Sequence, residues 1–248
     1  MSEPNGPAAR ALAAAARDVA RLVVPVCCPG CGLDDVRWCD ECEATWWDAP
    51  FRSDSSAPRL QRGEGALAVW SVADLEGSAQ QMIEAWKDSD RRDLDPFFVA
   101  AMTRAAGHVA GELAEVPAIS VVPIPAQRAS TRRRGVDLPA LLADACAQRW
   151  RECRLDAVAQ TALSMRRAES RGLSARQRWR AAQRSMRLER SLGRGRAVVL
   201  IDDVMTTGAT LAAARDCIEN AGWVVCAGIT LAAAPVRTKS SQVGLGWG

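Results

Sequence analysis

Two hydrophobic periods alternate along this chain and outline its fold. Short apolar runs rich in β-branched residues, as in buried strands, fall at 66–72, 117–125, 155–159, 197–201 and 223–231. Between them, apolar residues recur at helical spacing over 79–86, 97–113, 138–150 and 211–220, the last closed by Gly222. Strands alternating with helices predict an α/β fold, a mostly parallel sheet with helices on both faces. Ligands of such sheets gather beyond the carboxyl ends of the strands.

Ahead of this pattern, Leu12, Ala16, Val19 and Val23 fall on one helical face within 8–26. Arg10, Arg17, Asp18 and Arg21 interrupt every apolar run there, which predicts an amphipathic helix and argues against a signal peptide. Nothing approaches the roughly 20 apolar residues of a membrane span, so the expected location is the cytoplasm. Residues 46–65, with Asp48, Pro50, Pro58 and Gly63, have loop chemistry and mark a boundary. The expected organisation is an N-terminal helix and metal-binding module over 8–50, an α/β domain over 66–235 and a tail over 236–248.

Five of the nine cysteines lie between residues 27 and 42. Cys28 with Cys31, and Cys39 with Cys42, form two CxxC pairs, each presenting two thiolates from one tight turn. Two such turns close a tetrahedral four-sulfur site, with Gly30 and Gly32 freeing the first turn. This predicts a closed, structural zinc; Cys27 in place of Cys28 is a second register. Cys146, Cys153, Cys217 and Cys226 stand singly and read as core packing.

The net charge of +3 is too small to imply nucleic acid by itself. Its composition is more informative. The basic residues are almost all Arg, with only Lys87 and Lys239 as exceptions. In so Arg-biased a chain a Lys is unusual enough to mark the position, with a plain surface lysine as the bland reading.

The segment with the most chemistry is 198–210, VVLIDDVMTTGAT. A buried strand delivers Asp202 and Asp203, a small-residue loop follows, and a helix begins. Thr206, Thr207, Gly208, Ala209 and Thr210 supply hydroxyls and backbone N–H groups at a helix N-terminus, which favours an anion. Gly208 permits close approach of the main chain. Carboxylates facing a phosphate would repel it, so Asp202 and Asp203 are suited instead to vicinal hydroxyls. A ribose 5-phosphate carries both groups. The chain lacks the G-x4-G-K-[ST] of Walker-type ATPases.

This string is similar to the phosphoribosyl-pyrophosphate (PRPP) motif of type I phosphoribosyltransferases. From about residue 20 to 235 the chain resembles the ComF/GntX family of bacterial competence-associated proteins, in which a four-cysteine zinc module precedes such a domain. The resemblance implies a type I phosphoribosyltransferase-like sheet with a small zinc-ribbon-like module. It implies that Asp202 and Asp203 hold the ribose hydroxyls and that 206–210 hold the 5-phosphate. Val122, Pro123 and Pro125, followed by Arg132, Arg134 and Gly135, match a further family segment, and Lys87 matches a family lysine. Two departures stand out. Arg134-Gly135 is followed by Val136, Asp137 and Leu138 where the family has R-G-F-N-Q, and Ala181 follows the hood-like segment 172–178 where an Asn is common.

Arginines outnumber acids between Arg149 and Arg196. They suit a solvated helix face, a lid over pyrophosphate, or a track for single-stranded DNA with Trp150 or Trp179 as stacking platforms. His108 stands alone and carries no chemistry. The implied activity is transfer of a phosphoribosyl group from Mg2+-PRPP to a nitrogen acceptor, with Asp202, Asp203 and Lys87 as the catalytic set. PRPP contacts fall to the same acids, 206–210 and Arg134. The other reading is an accessory factor for DNA uptake that binds single-stranded DNA and uptake proteins, with a regulatory or vestigial PRPP site.

Overall fold

The computed structural model describes residues 26–61, 65–89, 91–126, 134–165 and 185–235. The amphipathic helix expected over 8–26 (all but its last residue), Arg132, the segment 172–178, Trp179, Ala181 and the tail 236–248 lie outside them.

The elements follow the hydrophobic pattern closely. After helix α1 (Asp40–Ala44) come strands β1 (Phe51–Arg52) and β2 (Val69–Asp74), then helices α2 (Gly77–Asp88) and α3 (Asp95–Val109). Strand β3 (Ile119–Pro123), helix α4 (Leu138–Glu152) and strands β4 (Ala157–Ala159), β5 (Leu163–Met165) and β6 (Met186–Leu188) follow. The described chain ends with β7 (Ala197–Met205), α5 (Ala209–Glu219) and β8 (Val225–Ala233). Helix α2 turns Ala79, Met82, Ile83 and Trp86 inward at the 3–4 residue spacing of one buried face. Helix α4 starts where Asp137 accepts a hydrogen bond from the Ala140 N–H at 3.3 Å, with a proline in the first turn.

Six strands form one sheet in the order β1-β2-β8-β7-β3-β4. Every pairing is parallel except β1 with β2, while β5 and β6 pair apart from it. Strand β7 runs longer than the apolar run 197–201, because β8 continues to pair with it: Asp202 lies opposite Thr230 and Met205 opposite Ala233. The two acids therefore belong to the strand's carboxyl end.

Each sheet face buries its own core. One contains Val199, Ile201, Ile229 and Leu231 with α2, α3 and α4, and also Cys28, Cys42 and Trp46 of the cysteine module. The other contains Val198, Leu200 and Val69 with α5, Ala57 and Leu60. Helix α4 leaves β3 across the first face and α5 leaves β7 across the second, in opposite directions along the sheet. The crevice at the carboxyl ends of β3 and β7 is thus the topological switch point. Among the described residues no helix is long and apolar enough to cross a membrane.

Candidate functional site

The two CxxC turns close on one another. The sulfurs of Cys28, Cys31, Cys39 and Cys42 lie within 4.8 Å of each other. Cys39 Sγ is 3.7 Å from Cys28 Sγ and 3.6 Å from Cys31 Sγ. A tetrahedron with metal–sulfur bonds of ~2.3 Å has edges of ~3.8 Å, so the donor set fits one metal ion. A Cβ on Gly30 would sit 2.7 Å from Cys42 Sγ, which explains the glycine. Burial pushes the Cys42 thiol up, reinforced by the neighbouring Cys39, Cys28 and Cys31. Burial also raises Cys28, but backbone hydrogen bonds at Cys39, Gly30 and Cys31 outweigh it and bring this thiol to about 6. Cys27 stands outside the set: it is exposed and forms a β-bridge with Asp34. Of the single cysteines, Cys146 is buried and Cys153, Cys217 and Cys226 are half-buried.

At the switch point, Lys87 from the last turn of α2 reaches Asp203 of β7, with Nζ 2.8 Å from Oδ2. The neighbouring Asp202 is buried, and its Oδ1 accepts the Asp203 N–H at 2.9 Å. Burial, and then the charge of Asp203, holds the Asp202 carboxyl well above the usual carboxylate range. The charge of Lys87 offsets only part of this.

Arg134, just ahead of α4, has a side chain only 10% exposed and lies 3.7 Å through Nη2 from Asp88 Oδ1. Its Nε is buried with no hydrogen-bond partner among the described residues. Asp137, three residues on, is also lifted above the usual range, by burial first and by Asp203 second. Its role as helix cap gives a reason for a carboxylate at this position. Asp88 was not singled out by sequence; only its place after Lys87 at the helix end could have drawn attention to it.

The loop after β7 differs from expectation in one respect. Thr206 and Thr207 are exposed and Thr210 half-buried, with α5 starting at Ala209. Gly208 also meets the residues packed behind the loop. It has φ +68°, and an added Cβ would lie 2.8 Å from both Ala57 Cβ and Leu60 Cγ. Gly208 therefore admits the segment that joins β1 to β2.

Trp150 is a correction. It is fully buried and donates through Nε1 to the Ala106 carbonyl at 2.8 Å, so it cannot be a stacking platform for DNA. Its indole fills the contact between α3 and α4. His108 is exposed. Comparison with protein-family models and with curated proteins finds no match to this chain.

Proposed function

We propose that this protein binds Mg2+-PRPP at the carboxyl ends of β3 and β7 and transfers its phosphoribosyl group to a nitrogen nucleophile. One convergence supports the reading. Lys87, Arg134 and the pair Asp202-Asp203 come from three separate segments and gather at the carboxyl end of β7, where Arg134 Nε lacks an acceptor among the described residues. A buried guanidinium left short of acceptors is completed well by a ligand oxygen, and phosphate matches its fork of donors. The resemblance to type I phosphoribosyltransferases and the ComF/GntX family points the same way.

In this reading Asp202 and Asp203 accept hydrogen bonds from the ribose hydroxyls. Thr206, Thr207 and Thr210, with the first N–H groups of α5, hold the 5-phosphate, and Gly208 and Ala209 keep that loop free of bulk. Transfer breaks the bond between C1′ and the pyrophosphate oxygen, and pyrophosphate leaves with the electron pair. The acceptor nitrogen bonds to C1′ and releases its proton. Lys87 and Arg134 stabilise the charge that grows on the leaving oxygen, so no protein nucleophile is required. Mg2+ bound with the ligand neutralises part of the diphosphate charge. Cys28, Cys31, Cys39 and Cys42 would hold Zn2+ as a closed structural centre, since all four positions are thiolates.

Calorimetric titration with Mg2+-PRPP tests the reading, beside an Asp202→Asn/Asp203→Asn control. Binding by the wild type alone supports it. Absence of binding by the zinc-loaded wild type overturns it and makes single-stranded DNA or a protein the leading ligand.

A further inference from the structure

The cysteine module reaches the candidate site along two routes. On the first face, Gly30 of the first knuckle packs on α2, its α-carbon side directed at Cys42 and at Ser78 Cβ. Trp46, just after α1, is fully buried and donates through Nε1 to Met82 Sδ at 3.3 Å. Its ring meets Phe98 edge-on at 4.8 Å, and Phe98 in turn lies 4.5 Å from Trp86. Trp86 immediately precedes Lys87, whose ammonium is on Asp203. Arg91, clamped by Asp93, ties the far end of α2 back to the module by donating to the carbonyls of Cys27 and Arg37.

The second route runs behind the sheet. Ser53, just past β1, into which the module leads, bonds to Ser71, which bonds to Thr230, each at 2.7 Å and all three buried. Residues 54–60 then lay Ala57 and Leu60 against Gly208, in the loop itself. The module and the segment that follows it in the chain thus brace the site from opposite faces. Packed side chains of this kind have few alternative arrangements, so loosening one end is felt at the other.

We propose that metal occupancy of the four-cysteine cluster and the geometry of the Lys87–Asp203 and 206–210 site are thermodynamically coupled. Metal loss loosens α2 and 54–60 together and releases Lys87 and the loop. By linkage, disturbing the loop weakens metal retention. The inference concerns the chain's own geometry and stands whether or not PRPP is the ligand.

The test uses the zinc-loaded full chain, with hydrogen exchange followed by mass spectrometry before and after chelation. Coupling predicts lost protection over 54–60, 77–88 and 206–210 together with 27–47, while β3 and α4 stay protected. Loss confined to 27–47 overturns the proposal. Should chelation deprotect β3 and α4 as well, the zinc-loaded Gly208→Ala variant decides. Coupling predicts a zinc affinity, measured by equilibrium competition with a chromophoric chelator, at least about fivefold weaker than wild type, and an unchanged affinity overturns it. Failure to bind PRPP is a separate titration, so failure of the functional reading is distinguishable.

Discussion

Lys87 Nζ and Asp203 Oδ2 stand 2.8 Å apart, joining the end of helix α2 to the carboxyl end of strand β7. The contact sets a cation against the half-buried acid that neighbours the buried Asp202. Most of the testable consequences start from it.

The lysine side chain is 30% exposed and the aspartate 13%, so the ion pair itself contributes at most about 1 kcal/mol to stability. Lys87→Met keeps the stem packed and removes the charge. It should shift Tm by no more than about 2–4 °C and weaken binding of Mg2+-PRPP at least about tenfold. Thermal melts and calorimetry on the same samples check this. A large Tm loss with intact affinity would make Lys87 a structural residue.

Asp202 should make stability depend on pH. Burial first, and Asp203 second, raise its carboxyl well above the ordinary range. The folded protein therefore binds more protons at this site than the unfolded chain. The associated stability is present below the unfolded pKa, roughly 4, and is lost as pH rises through the folded value. Asp202→Asn keeps an oxygen for the Asp203 N–H and removes the titration. Its Tm advantage over wild type should be small near pH 4, should widen toward neutral pH and should come with loss of PRPP binding. A difference that does not change with pH would show that Asp202 titrates normally.

Gly208→Ala meets two obstacles, a φ of +68° and contacts of 2.8 Å with Ala57 and Leu60. Gly222 has φ +95° and nothing within 4 Å of an added Cβ, so Gly222→Ala isolates the backbone strain. Gly208→Ala should cost about 1–3 kcal/mol more than Gly222→Ala in urea unfolding. Equal costs would mean that the linker moves aside freely.

Metal content should follow the geometry of the cluster. Elemental analysis should find one zinc per chain in wild type and in Cys27→Ser, and a large loss in Cys31→Ser. Cys28 and Cys42 are buried in the same core as Met82 and Phe98, so chelation should lower Tm by far more than loss of an exposed finger would. Loss of zinc from Cys27→Ser with retention by Cys28→Ser would put Cys27 in place of Cys28.

The elements and the local motifs were legible before any coordinates. Short continuous apolar runs located β3 and β8, and period-3.6 patterning located α4 and α5, to within a few residues, and CxxC spacing identified the sulfur donors. The end of β7 was not legible, since its last four residues, Asp202–Met205, are held as strand by pairing with β8 and not by their own apolarity. Trp150 was misjudged for a related reason. An aromatic residue in an Arg-rich stretch looks available for stacking, but the helical phase of α4 turns it into the contact with α3.

The sequence by itself determined what neighbouring residues can encode: the order of strands and helices, the two cysteine turns, and the acid pair followed by a small-residue loop. These depend on backbone period and turn chemistry within a few positions. Tertiary structure alone decided that Lys87 meets Asp203, that Asp137 caps a helix near that acid, and that Ala57 and Leu60 occupy the space a side chain at Gly208 would need. It also merged the cysteine module into the core of the sheet. Each of these contacts joins segments far apart in the chain, and which ones form is set by sheet register and by the close packing of side chains that no local pattern records.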